Sequence, residues 1–412
     1  GPIQRVDMET GESTSLVSKM HREMRWNWNA PIVVSHHNSD VIYHAGNKVL
    51  KSEYRGESWV AISDDLTTQD SVKIMGTGNI QYCTITSLEE SPIDANVLWV
   101  GTDDGNVQVT KNGGRKWTLL NDNIPNNPGF WVSRIEASAH NPGTAYVTYT
   151  GTRRDDFRPF VYKTIDFGKT WTSIANGLPN EPINVIREDH KNPNLLFLGT
   201  ELSLYASLDG GQNWTKMTNG LPTNPMYDLL IHPRENELVV ATHGRGIFIA
   251  DIKPLQGITA DVATKAAHMF EVQPAVKWNR GMSNNSAYTN YNGESRSPGV
   301  HLYFHAATAG KAKITVYQGT REINKFELDA EAGLNHQVWS MNRIVRERSA
   351  RMMERRRARL ENFGITGAQL ESAMAAYRYE TAPVGPGEYT VKFEMGGLEM
   401  TQKASILKDF WN

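Results

Sequence analysis

The chain has 412 residues and a formal net charge of −2. That is long enough for two or three domains, each with its own core, and it gives no electrostatic case for a nucleic-acid partner. The single cysteine, Cys83, cannot form an internal disulfide, so disulfides are silent on compartment. No run of 18 apolar residues occurs, and no transmembrane segment is expected.

In chain order, residues 3–16 read as a strand and turn, either the outer strand of a preceding repeat or a closing strand for the last one. From residue 30 to about 251 one pattern recurs five times. An apolar strand is followed by a turn rich in Asn, Pro or Asp, and then by a second apolar strand. The first strands begin at Ile32, Ile85, Ile135, Val185 and Leu229. The second strands are Val41-Ile42-Tyr43, Val97-Leu98-Trp99-Val100, Ala145-Tyr146-Val147, Leu195-Leu196-Phe197-Leu198 and Leu238-Val239-Val240. After a third strand comes Ser/Thr-x-Asp-x-Gly-x-x-Trp. It is complete at Thr164-Ile165-Asp166-Phe167-Gly168-Lys169-Thr170-Trp171 and at Ser207-Leu208-Asp209-Gly210-Gly211-Gln212-Asn213-Trp214. It is degenerate at residues 110–117, where Asn112 replaces Asp, and weaker at residues 52–59, where Tyr54 does. The tryptophans Trp59, Trp117, Trp171 and Trp214 are spaced 58, 54 and 43 residues apart, near the roughly 40–50 residues of one four-stranded propeller blade.

These motifs resemble the Asp-box, or BNR, repeat of sialidases, sortilin-type receptors and family 74 xyloglucanases. The residues themselves assign structural roles to Asp166, Gly168, Trp171, Asp209, Gly211 and Trp214. The Asp accepts backbone N–H bonds in a tight turn, the Gly permits positive φ, and the Trp packs between blades. The stretch Trp26-Asn27-Trp28-Asn29-Ala30-Pro31 and the segment Ala241-Thr242-His243-Gly244-Arg245-Gly246-Ile247-Phe248-Ile249 go beyond the generic box. They look like the large secreted bacterial proteins with sortilin (VPS10)-like propellers. That resemblance implies that this region is the C-terminal portion of a longer protein. Further blades would then be supplied by an upstream segment or a second chain. A closed five-bladed ring is the other arrangement compatible with the count.

In a propeller, the loops from strand four to the next strand one and from strand two to strand three share the face around the channel. One set of these loops includes residues 26–31, 76–79, 125–131, 179–182 and 222–225. The other includes 102–105, 153–158, Glu201 and 243–246. Aromatic and charged side chains converging on one mouth are what a binding site needs. The candidate ligand-binding residues are therefore Trp28, Asp103, Asp104, Phe130, Trp131, Arg153, Arg154, Asp155, Asp156, Arg158, His243 and Arg245. Each could equally be a solvated loop charge or a rim aromatic. Asp103 or Asp104 with Asp155 or Asp156 is a conceivable glycosidase carboxylate pair. The arginine cluster and nucleophilic Tyr of a sialidase are not identifiable. His36, His37, His140, His190 and His232 read as turn residues without metal-ligand spacing, and no metal or cofactor is expected.

After residue 251 the composition changes. Residues 252–299 read as a linker and 300–412 as a small β-sandwich. Its Pro386-Gly387-Glu388-Tyr389-Thr390-Val391 resembles the immunoglobulin-like domain that ends many secreted bacterial proteins. Residues 342–380 are expected to form an inserted helical hairpin. Arg346, Arg348, Arg351, Arg355, Arg356, Arg357 and Arg359 make it basic, either for an anionic partner or as a solvated face balanced by Glu347, Glu354 and Glu361.

The expected fold is thus all-β: Asp-box propeller blades, then an Ig-like β-sandwich with a helical insertion. The expected function is non-catalytic, extracytoplasmic binding or scaffolding of a peptide, glycan or protein partner, in a secreted, periplasmic or cell-surface bacterial protein. The alternative is a glycoside hydrolase acting on polysaccharide.

Overall fold

The structure, a computed structural model, describes residues 3–75, 81–218, 220–278 and 297–409. The loop expected at 76–79 and most of the 283–299 stretch lie outside the described residues. The chain divides into two compact units, Gly1–Gln256 and Gly257–Asn412.

The first unit is a β-propeller built from successive antiparallel sheets. Blade 1 has strands Ile32–Val34, Ile42–Ala45, Val49–Ser52 and Val60–Ala61, paired in sequence order. Blade 2 has Ile85–Glu90, Leu98–Thr102, Val107–Thr110 and Trp117–Leu119. Blade 3 has Trp131–Ala137, Ala145–Gly151, Asp156–Thr164 and Thr172–Ser173, and blade 4 has Ile183–Glu188, Leu196–Thr200, Leu204–Ser207 and Thr215–Met217. Blade 5 has three strands, Met226–His232, Glu237–Thr242 and Ile247–Asp251.

The core lies between blades. Val185, Phe197 and Leu204 of blade 4, for example, pack on Met226, Leu229 and Val240 of blade 5. A second strand covered on both faces has no polar side, which is why Leu98–Thr102 and Leu196–Thr200 are buried along their whole length and read as apolar runs rather than alternations.

The turns carrying the repeated motif staple each blade's third strand to its fourth. Thr164 Oγ1 accepts from Gly168 N at 3.0 Å, and Asp166 Oδ1 accepts from Thr170 N at 2.9 Å. Ser207 and Asp209 repeat both bonds, to Gly211 N and Asn213 N, each at 2.9 Å. In the degenerate copy Asn112 Oδ1 takes the Asp role, accepting from Lys116 N at 2.9 Å. The Trp171 indole nitrogen has no partner among the described residues. Two of the other motif tryptophans reach back through the indole N–H to the preceding blade, Trp117 to the Ile62 carbonyl at 2.9 Å and Trp214 to that of Ile174 at 2.7 Å. The residue offering that carbonyl also presses its side chain on the motif glycine. A Cβ on Gly211 would lie 2.8 Å from Ile174 Cδ1, and its φ of +95° is one that other residues rarely adopt, so glycine is favoured there.

Residues 3–16 form a hairpin of two strands, Gln4–Val6 and Ser13–Ser15, rather than one strand. Its end repeats the latch. Leu16 lies against Gly56, and its carbonyl accepts from Trp59 Nε1 at 3.0 Å.

In the second unit, a three-stranded sheet (Ala267–Met269, Val300–Ala306, Gly333–Trp339) and a five-stranded sheet (Ala275–Lys277, Gly310–Gln318, Arg321–Ala330, Gly387–Met395, Leu398–Lys408) share one core. Phe304 against Phe393 and Trp339 against Tyr389 are its aromatic centre. Two pieces of the expected linker, Ala267–Met269 and Ala275–Lys277, are therefore strands, because their apolar residues complete this core. The insertion is helical only at Ala350–Asn362 and Gly367–Tyr377. Its ends, Asn342–Glu347 and Tyr379–Pro383, pair as a two-stranded stem in which Ile344, Val345, Tyr379 and Thr381 favour the extended backbone. Exposed ion pairs Arg346–Glu380, Arg357–Glu371 and Arg378–Glu347 tie its basic residues down in part.

Candidate functional site: the central cavity

Four consecutive inner strands share one irregularity. The register slips between Ile85 and Ser87, Val132 and Arg134, Ile183 and Val185, and Met226 and Asp228. A bulge inserts one residue and re-aims its side chain. The inserted residues are Thr86, Ser133, Asn184 and Tyr227, and all four line a single cavity of about 580 Å³ at the centre of the blades. Asn29 and Pro31 from the loop before blade 1 also line it, with Trp131 and Arg153 of blade 3 and Glu201 of blade 4.

Two of the bulge residues tie blades together. Thr86 Oγ1 donates to the Val132 carbonyl at 2.9 Å, and Ser133 Oγ donates to the Ile183 carbonyl at 2.7 Å, each in the following blade. The next two break the pattern. Asn184 Nδ2 is buried with no hydrogen-bond partner among the described residues, and Tyr227 is half exposed, its ring 5.3 Å from that of His243.

Below the bulges runs a belt of charge. Arg187 pairs with Glu136 of blade 3 and, at 3.5 Å, with Asp228 of blade 5. Arg134 of blade 3 meets the same Asp228 oxygen at 2.7 Å. Glu89 of blade 2 lies 3.6 Å from His36 of blade 1, and the Glu89 carboxylate raises the His36 pKa. Burial, together with the nearby Glu89 carboxylate, holds the Glu136 carboxyl above the ordinary range against the pull of Arg187. Arg134 Nε is buried without a partner among the described residues.

Of the residues singled out from sequence, the cavity gathers Trp131 and Arg153, whose guanidinium lies 4.2 Å over the Trp131 ring. The others stand elsewhere. Asp103 is buried in the blade 1–2 junction, accepting from Thr84 N at 2.9 Å, Thr84 Oγ1 at 2.5 Å and Asn27 Nδ2 at 3.2 Å. Burial outweighs these bonds and pushes its pKa up to about 6. Asp104 accepts from Thr68 N at 2.8 Å and from Thr102 Oγ1 at 2.5 Å. Asp155 sits in a left-handed turn at φ 56°. Asp156 and Arg158 belong to a strand, not a loop, and chelate one another, with Arg158 Nη2 at 2.6 Å from Asp156 Oδ2. Phe130 packs edge-on against Phe160 in a second depression. Trp28 is 77% exposed, and Arg154, His243 and Arg245 are exposed turn residues outside the cavity lining. Sequence reasoning did not single out Asn184, Arg134, Arg187, Tyr227 or Asp228. The available signal was a charged or amide side chain inside an otherwise apolar inner strand, as in Val132-Ser133-Arg134-Ile135-Glu136.

Among the described residues no group of three or more His, Cys, Asp or Glu side chains is placed to hold a metal, and no helix is long and apolar enough to cross a membrane.

No family model matches the chain, and no curated protein matches it. Solved structures with a similar arrangement include the GH74 xyloglucanase from Xanthomonas campestris, at 18% identity and a TM-score of 0.42, covering 53% of this chain and 36% of that one. The Niastella koreensis GH74 enzyme matches at 14% identity and a TM-score of 0.42, over 77% of this chain and 46% of that one. The extracellular domain of a hybrid two component system from B. thetaiotaomicron matches at 9% identity and a TM-score of 0.41, over 98% of this chain and 47% of that one. This chain thus spans less than half the length of each. None of these likenesses carries an activity or substrate across.

Proposed function

We propose that the first unit is a non-catalytic, extracytoplasmic binding propeller that holds a polar ligand, a glycan or a peptide, in its central cavity. The chain would work within a larger secreted or envelope protein, with the second unit an immunoglobulin-like module. The observation that carries the reading is the break in the bulge pattern. Where Thr86 and Ser133 close on the next blade, Asn184 lines the cavity with its amide nitrogen buried and unpartnered among the described residues, and Tyr227 offers an open ring to the same space as Trp131 and Arg153. A buried donor without a partner is costly, about 1–3 kcal/mol, and a turn of the Asn184 amide toward the cavity would let a ligand oxygen relieve it. The aromatic faces fit the apolar side of a sugar or a peptide side chain. In the second unit, the Tyr389 hydroxyl donates to the Gly385 carbonyl at 2.7 Å, a bond that immunoglobulin-like domains use near a strand start.

The test is to probe a glycan array and a hexapeptide array with the wild-type chain, Trp131→Ala and Asn184→Ala. Specific hits on one array that weaken at least tenfold in both variants, with the thermal transition unchanged, support the reading. Hits that persist in both variants, or no hits at all, remove it. Among the described residues the carboxylates that line the cavity are Glu89, Glu201 and Asp228, and the hydrolase reading is tested on them. Release of reducing ends from xyloglucan that disappears in Glu201→Gln would establish hydrolysis in place of simple binding.

A further inference from the structure

Corresponding positions in successive blades can be compared through their ladders. In the third strand, one position holds Val49, Val107, Val161, Leu204 and Ile247. The first three are fully buried and Leu204 is 1% exposed, whereas Ile247 is 68% exposed. Two residues before its ladder partner, the second strands of blades 1 to 4 hold Tyr43, Trp99, Tyr146 and Phe197, all buried, where blade 5 has Val239. In blade 5, Leu230, Val239 and Ile249 stand side by side across three strands, as do Ala241 and Ile247 in the next row. This is a continuous apolar sheet face, with Ile249 at 64% exposure.

The other end is complementary. One inner-strand position holds Ile32, Leu88, Ile135, Ile186 and Leu229, of which the last four are buried and Ile32 is 52% exposed. Further out, the same face of blade 1 is covered. Ile3 and Leu16 of the hairpin pack with Leu50 and Trp59. The hairpin thus occupies the place of a preceding blade's outer two strands and repeats their latch, while the place of the inner two strands, beside Ile32 and Val34, stays open.

We propose that these two faces are docking surfaces for further propeller blades, carried by a polypeptide segment outside the 412 residues. The occupant is an antiparallel β-sheet with an apolar face, because the open faces continue an interface that already repeats between every pair of neighbouring blades. An uncapped end repeat with an apolar outer face is a solubility liability unless something covers it. This inference stands on the blade faces, of whose named residues Ile32 also lines the cavity.

The test is photo-crosslinking in the native cells, with benzoylphenylalanine placed at Ile247, at Ile32 and, as a control, at Ile165, an exposed residue of the blade 3 turn. Expected are crosslinks from positions 247 and 32 to peptides with alternating apolar strands from outside this chain, and none from 165. Crosslinks from 247 to a second copy, crosslinks to residues 257–409 of the same chain, or yields no higher than at 165 each overturn it. The double variant Ile247→Lys/Ile249→Lys supplies a second measurement. Both positions are exposed, so the thermal transition of the purified chain stays put, while the crosslink from position 32 to the same partner falls at least tenfold. An undiminished yield counts against the proposal.

Discussion

Replacing Arg187 with Leu removes the hub of the charge belt. The side chains of Arg187 and Glu136 are only 17% and 12% exposed, and Arg187 also donates through Nε to the Leu229 carbonyl at 2.7 Å. Its loss leaves Glu136 buried beside Glu89 without its cation, and breaking a buried pair by removing one member costs about 3–5 kcal/mol. Removing both charges, in Arg187→Leu/Glu136→Leu, recovers most of that, because the desolvation of both ions disappears with their attraction. The pH dependence has a definite sign. The Glu136 carboxyl already sits above the ordinary range through burial, and without Arg187 it rises further. A carboxyl with a raised folded-state pKa favours the fold at low pH and loses that contribution as pH rises through the raised value. The Arg187→Leu defect is therefore smaller at pH 5 than at pH 8. Urea unfolding followed by tryptophan fluorescence measures it, fitted as two transitions because the chain has two units. A single-variant loss below about 1 kcal/mol, or a double variant as unstable as the single one, would refute the view that this belt couples blades 3, 4 and 5.

Other outcomes follow from the same geometry. Trp214→Phe, which loses the 2.7 Å bond to the Ile174 carbonyl, costs more than Trp171→Phe, whose indole nitrogen has no partner among the described residues, with a difference of about 1 kcal/mol in urea unfolding. Gly168→Ala meets both a φ of +78° and Leu120 Cδ1 at 2.5 Å, so it lowers the melting temperature by more than Gly177→Ala, where φ is +75° and the space is open. Burial, with His21 nearby, holds the His44 pKa down to about 3. A base depressed in the fold contributes stability above its unfolded pKa and loses it as pH falls. Wild type should therefore lose about 2 kcal/mol more than His44→Phe between pH 6.5 and 5, read from unfolding curves at each pH.

The blades were legible because their turns are chemically fixed. A hydroxyl, a carboxylate or amide, a glycine and a tryptophan must recur at set spacing for the Thr164–Trp171 turn to close and latch, and such a pattern survives in one sequence. The bulges at Thr86, Ser133, Asn184 and Tyr227 were not legible. A single inserted residue changes no composition, and its effect depends on pairing with a strand some distance away. Loop carboxylates misled for a related reason. Asp103 and Asp104 look solvent-facing by their place between strands, but Thr84, Asn27, Thr68 and Thr102 enclose them. At 342–347 and 379–380 the abundance of Arg and Glu reads as helix, whereas the ladder across the hairpin stem sets the backbone.

The tryptophan latch has a direction. Trp59, Trp117 and Trp214 all reach toward the N-terminal side, to a carbonyl that already exists when the tryptophan leaves the ribosome. Synthesis can therefore lock blades 2 and 4 onto their finished predecessors, and blade 1 onto the hairpin, without waiting for a successor. The fifth blade, whose third strand ends at Asp251 without such a tryptophan, is the last to be secured and the first to fray.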